Sequence, residues 1–182
     1  MKTVIETARC SSLALLSVVI IAVCLSSTSG CGTSGETKNL GANQAVGKRP
    51  EGEGRPKLWL TAKEDPDELV VTVNYEQSAI QRPRVADIRL VHSESLELVD
   101  AAVGGSASIA HKELTTQTPQ PGLIRLILLS RDTVELGSGE LVRLRMKRVA
   151  KGPVKVDFLI DKPVFAPAES LEGLLIGDPV AL

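Results

Sequence analysis

The sequence predicts an all-β domain, an antiparallel sandwich or barrel, on three observations. Apolar and polar residues alternate with period two through most of residues 58–182, which is the spacing of strands with one buried face. Turn-forming clusters separate these runs: "DPDE", "GGS", "PQPG", "GSG" and "KGP". Hydrophobic residues make up 43% of the chain but aromatics only 2%, so the core must be built from Val, Leu and Ile. Many short strands with little helical pattern between them point to packed antiparallel sheets. At 182 residues the chain has room for one such domain.

The first thirty residues have a different task. Lys2 and Arg9 outweigh Glu6, and residues 13–25, "LALLSVVIIAVCL", form an apolar run of thirteen. About 20 residues are needed to cross ~30 Å of hydrocarbon, so this run suits an export signal and not a transmembrane helix. Small residues follow, Ser26 to Gly30, and then Cys31. Residues 1–30 resemble a bacterial lipoprotein signal peptide. Ser29, Gly30 and Cys31 match its pattern, while Thr28 stands where an aliphatic residue is usual. The resemblance implies that Cys31 becomes the first mature residue and carries lipid. Cys10 and Cys24 lie inside the signal, which leaves Cys31 without an intramolecular partner. A lone thiol is unusual in a secreted chain and expected at an acylation site. The plainer reading is a secreted protein cut near Gly30. Gly32, in place of an Asp after the cysteine, favours the outer membrane of a Gram-negative envelope.

Residues 31–57 read as a flexible tether. The 26 residues after Cys31 hold six Gly, two Pro and no aromatic, too little apolar surface to offset chain entropy. A free chain of that length reaches about 28 Å root-mean-square, at roughly 5–6 Å × √n.

The strands follow in order through residues 58–182. In "ELVVTVNYEQ", Val71, Val73 and Tyr75 share one face and Thr72 and Asn74 the other. In "VADIRLVHS", Ala86, Ile88 and Leu90 alternate with Asp87 and Arg89. "LIRLILLS", residues 123–130, is apolar nearly throughout and suits a strand inside a sheet. In "LVRLRMKRV", Val142, Leu144 and Met146 alternate with Arg143, Arg145 and Lys147. In "VKVDFLID", Val154, Val156, Phe158 and Ile160 alternate with Lys155, Asp157 and Asp161.

Candidate chemistry is sparse. No catalytic, metal or cofactor site is predicted. The two histidines, His92 and His111, stand apart, and no G-x-S-x-G, H-E-x-x-H or P-loop occurs. "GGSAS", residues 104–108, does not read as opening a helix, so phosphate binding is weakly supported. His111 in "IAHKEL" reads as lying on a strand or its edge, in contact with solvent or a hydrogen-bond partner. "KEDPDE", residues 63–68, gathers four carboxylates that suit calcium by their chemistry, yet a charged hairpin turn accounts for them better. Arg143, Arg145 and Lys147 form a basic stripe, with Lys155 on a possible neighbouring strand. The stripe suits an acidic partner or anionic lipid, but the solvated face of a sandwich explains it more simply. A net charge of −1 gives no electrostatic reason to expect nucleic acid.

Two longer stretches carry a resemblance. "LVVTVNYEQSAIQRPRVADIRLVHSESLELVDAAVGG" resembles the first half of a cohesin module, and "LIRLILLSRDTVELGSGELVRLRMKRVAKGPVKVDFLID" the second. The match is one of strand order and turn position. "HSE" at residues 92–94 replaces the "YDP" common in the family. The resemblance implies a jelly-roll, immunoglobulin-like sandwich of about nine strands with a non-catalytic binding role. It also implies a dockerin-like protein partner on one flat sheet face. On that face Asp87 sits at a partner-contacting acidic position, beside outward Val85, Arg89 and Val91. A polysaccharide ligand is the alternative, with Trp59 and Phe165 as the aromatics available to stack on a sugar ring. A structural envelope lipoprotein is a third reading. The whole chain is thus expected to be an exported envelope protein, held to a membrane through Cys31.

Overall fold

The computed structural model describes residues 47–65, 68–79, 82–159, 163–167 and 173–182. Cys31, the signal and the first part of the expected tether lie outside the described residues, as does Ile160.

Within them the chain forms two β-sheets packed face to face. The elements are β1 (Lys57–Glu64), β2 (Glu68–Glu76), β3 (Val85–His92), β4 (Leu96–Val103), α1 (Gly105–Ile109), β5 (Glu113–Gln120), β6 (Leu123–Leu129), β7 (Gly139–Arg148), β8 (Lys155–Phe158), β9 (Val164–Ala166), β10 (Leu175–Ile176) and β11 (Val180–Ala181). The first sheet has the order β10-β1-β2-β7-β4, and the second β11-β8-β3-β6-β5, with β9 also pairing β3. β10 and β11 are two-residue strands at the sheet edges, so the nine strands before them match the expected sandwich. Neighbours pair antiparallel except β10, which runs parallel to β1.

Period two does the folding work. Leu69, Val71, Val73 and Tyr75 of β2 point inward, and so do Val142, Leu144 and Met146 of β7 beside them. From the second sheet come Ala86, Ile88 and Leu90, then Ile124, Leu126 and Leu128, then Val156 and Phe158. All are buried, at about 1.5–3 kcal/mol for each large aliphatic side chain relative to exposure. The Tyr75 and Phe165 rings stack between the sheets with centroids 5.3 Å apart.

Four expectations are corrected. Residues 105–109 do form a short helix, α1. Ala107 and Ala110 anchor it in the core. It follows a close approach at Gly104, where a Cβ would stand 2.5 Å from the Glu140 carbonyl oxygen. Five residues with two small apolar anchors are too few to show a helical period. His111 lies in the turn after that helix and not on a strand, with φ of 51°. Lys155 is not beside the basic stripe, because β8 belongs to the other sheet. Phe165 is 1% exposed and offers no platform to a sugar.

Part of the segment read as tether also touches the sandwich. Gly47 is buried so closely that a Cβ there would lie 2.4 Å from the Leu60 carbonyl oxygen. Arg49 lies over the Trp59 ring at 5.6 Å and pairs with Glu76. Arg55 donates to the Gly173 carbonyl at 2.8 Å.

Candidate protein-interaction face

The outer face of the second sheet is built by the residues that alternate with the core. On β3 these are Val85, Asp87, Arg89 and Val91, all half-buried. On β6 they are Leu123, Arg125, Ile127 and Leu129. Register aligns them in rows across the sheet. Val164, Asp87, Ile127 and Thr115 form one row, and Asp157, Val91, Leu123 and Gln120 another. Between them runs the row Arg89, Arg125, Gln117. Val164 is 51% exposed and Leu129 40%, so aliphatic surface faces solvent on this side.

Asp87 is not a free acid. Arg125 grips it with a two-pronged contact, Nε to Oδ1 at 3.0 Å and Nη2 to Oδ2 at 2.5 Å. That hydrogen-bonded carboxylate raises the Arg125 pKa. The pair sits diagonally across β3 and β6, where long side chains can meet. Sequence reasoning placed Asp87 on this face. It could not see Arg125 as its partner, because the two are 38 residues apart and only the β3–β6 register joins them.

The outer face of the first sheet differs. Arg143 pairs with Glu140 at 2.9 Å and Arg145 with Glu68 at 2.7 Å, while Arg148 and Glu64 pair at 3.6 Å at the end of the sandwich, on the inward-facing parity of their strands. The Arg145 hydrogen bond lowers the Glu68 pKa, and Glu68 in turn raises that of Arg145. Two of the three stripe residues, Arg143 and Arg145, therefore have acid partners in their own sheet. Glu68 comes from the "KEDPDE" turn, where Lys63 holds Asp65 at 3.1 Å. Reciprocal backbone bonds between Asp65 and Glu68 close that turn as a hairpin, and no metal-ligating cluster occurs among the described residues.

One polar cluster escaped the sequence reading. The Lys112 side chain is fully covered and donates to Ser130 Oγ at 2.7 Å and to the Val134 carbonyl. Burial lowers its pKa. Ser130 in turn donates to Asp132 Oδ1 at 2.7 Å, and His111 Nδ1 lies 3.3 Å from Asp132 Oδ2. The Ser130 bond lowers the Asp132 pKa more than the His111 contact does. Asp132 stands between the histidine and the serine, so the imidazole does not reach the hydroxyl. The cluster ties the β6–β7 loop to the residue before β5. A lysine amid "AHKEL" carries no sequence signal for burial.

A groove of about 680 Å³ lies at one end of the sandwich, between the β3–β4 and β5–β6 turns. His92, Glu94, Glu97, Leu98, Pro119 and Pro121 are among its walls, and none of its lining residues is aromatic.

The chain is thus a two-sheet sandwich whose outer faces differ in charge and in aliphatic surface. No protein-family model matches the chain, and no curated protein matches it. Solved structures do. The sixth cohesin of scaffoldin B from Acetivibrio cellulolyticus, solved in complex with a dockerin, superposes with a TM-score of 0.57 at 14% identity, over 70% of this chain and 96% of that one. A type II cohesin domain from the cellulosome of the same organism gives 0.57 at 9% identity, over 70% and 95%. A non-cellulosomal cohesin from the archaeon Archaeoglobus fulgidus gives 0.52 at 12% identity, over 70% and 90%. The protein has a cohesin-like fold, and at these identities the likeness is one of fold.

Proposed function

We propose that this chain is a non-catalytic, lipid-anchored module that holds a partner protein, dockerin-like in kind, at the cell envelope. The observation that carries the reading is the outer face of the second sheet. There Val85, Val91, Leu123, Ile127, Leu129 and Val164 surround the Asp87–Arg125 pair. Aliphatic surface around a few fixed charges is the composition of a protein interface. Cohesin neighbours solved with dockerins support the same class of partner. The carbohydrate alternative loses its platforms, since Phe165 is buried and Arg49 lies over Trp59.

The anchor and the partner are tested separately. Mass spectrometry of the mature N-terminus should find lipid on Cys31, and an unmodified N-terminus elsewhere would end the lipoprotein reading. For the partner, Asp87→Ala should weaken binding more than tenfold. It removes the acid and leaves Arg125 facing Arg89. Arg145→Ala, on the other sheet, should leave affinity unchanged. Glycan binding without a protein partner would move the reading to polysaccharide.

A further inference from the structure

On the outer face of the second sheet the charges do not balance where they meet. Arg89 of β3 stands directly opposite Arg125 of β6, and like charges in that relation repel. The acid beside them is Asp87, and its contacts at 2.5–3.1 Å all go to Arg125. Arg89 makes no ion pair with any described residue, and its Nε is buried without a hydrogen-bond partner. On the β8 side its carbonyl accepts from the Leu159 N–H at 2.9 Å. On the opposite sheet, by contrast, the outward arginines Arg143 and Arg145 each hold a carboxylate.

Around Arg89, Asp87 is held by Arg125 and Asp157 by Lys155 at 3.1 Å, and the remaining neighbours are aliphatic. Val91 and Leu123 lie to one side, and Val85, Ile127 and Val164 to the other. A guanidinium with no ion pair among the described residues, beside aliphatic side chains, can take a charge-assisted hydrogen bond through its Nη groups once a partner excludes water, its covered Nε being out of reach. Arginine in such central positions dominates many interfaces.

We infer that the partner held on this face presents a carboxylate, from an Asp or Glu flanked by apolar residues, and that Arg89 receives it. The inference rests on the reading of this face as a protein-binding surface. Charge complementarity selects the occupant. Sugar hydroxyls bring no charge to offset two arginines and one aspartate.

Genome-encoded protein fragments of the source organism, displayed as a library and selected on the immobilised full-length chain, supply the probes. Each recovered fragment is titrated against the wild type, Ile127→Asp, Arg89→Met and Arg89→Gln, and the Tm of each variant is recorded. Fragments that need Ile127 should bind both Arg89 variants at least tenfold more weakly. Neutralising one fragment carboxylate, Asp→Asn or Glu→Gln, should cause a similar loss, and the two losses should not add. The Arg89 variants should melt no lower than the wild type, because the free protein loses only a repulsion. Fragments that need Ile127 yet bind the Arg89 variants unchanged, or tolerate neutralisation of every carboxylate, would overturn the inference and leave the binding face standing. Fragments indifferent to Ile127, an empty selection, or self-association broken by Ile127→Asp would overturn the reading of the face and the inference with it.

Discussion

The two outer faces of this sandwich are made by the same alternation and carry opposite surfaces. On the first sheet, the outward Arg143 and Arg145 are matched by Glu140 and Glu68, and the exposed Lys147 completes the stripe. Exposed pairs of this kind add little stability and keep a sheet soluble. On the second sheet the equivalent positions hold Val85, Val91, Leu123, Ile127 and Val164, and Arg89 makes no ion pair among the described residues. The first face pairs most of its charge internally, and the second carries more aliphatic area around its charges. The comparison teaches that the side to test for binding is the less charged one, even though the basic stripe is the louder signal in the sequence.

The comparison is broken most violently from beneath. Leu144 lies under the charged face, fully buried, and Leu144→Asp places a carboxylate in an aliphatic interior, a change of the most destabilising class. Circular dichroism should show loss of the cooperative melt. Arg145→Asp, one residue along and outward, should still fold, with a slightly lower Tm from the acids Glu68 and Asp100 that it would join.

Outward substitutions separate the faces themselves. Ile127→Asp and Thr72→Asp each add one acid to a half-buried outward position, on the second and first sheet respectively. Both should keep their far-ultraviolet circular dichroism. Ile127→Asp should reduce partner affinity at least tenfold in a titration, and Thr72→Asp should not change it. Equal effects would remove the distinction between the faces.

The smallest effect comes from the interior that the faces share. The Tyr75 hydroxyl is buried without a hydrogen-bond partner, and burial pushes its pKa up to about 12. In the unfolded chain a phenol titrates near pH ~10. Between those values the folded protein keeps a proton that the unfolded chain releases. The stability from this group is therefore whole below about pH 10 and is lost as pH rises toward 12. Tyr75 is the only tyrosine of the chain, so phenolate absorbance reports it alone. Tyr75→Phe should keep the ring stack on Phe165, be neutral or stabilising by about 1 kcal/mol, flatten that alkaline loss and leave partner affinity untouched.

Much of this was legible in the residues. Strict alternation in β2, β3 and β7 identified Val71, Ile88 and Leu144 as inward and Asp87, Arg89 and Arg145 as outward. Side-chain direction in a strand depends only on parity, which a sequence displays. Turn clusters placed the strand ends for the same local reason. The helix at residues 105–109 was not legible, because two alanines against a core make no period. Nor was the burial of Lys112, whose partners Ser130 and Val134 lie 18 and 22 residues away.

The sequence by itself determined the fold class, the aliphatic core and which residues of each strand face out, since these follow from composition and a period of two. Only the tertiary structure decided which strands share a sheet. That assignment sent Lys155 away from the basic stripe and matched Arg145 to Glu68. It bound Arg125 to Asp87 and left Arg89 opposite a like charge. Alternation limits the register of a pair once it forms, but which segments pair depends on contacts between residues tens of positions apart, which no local pattern displays.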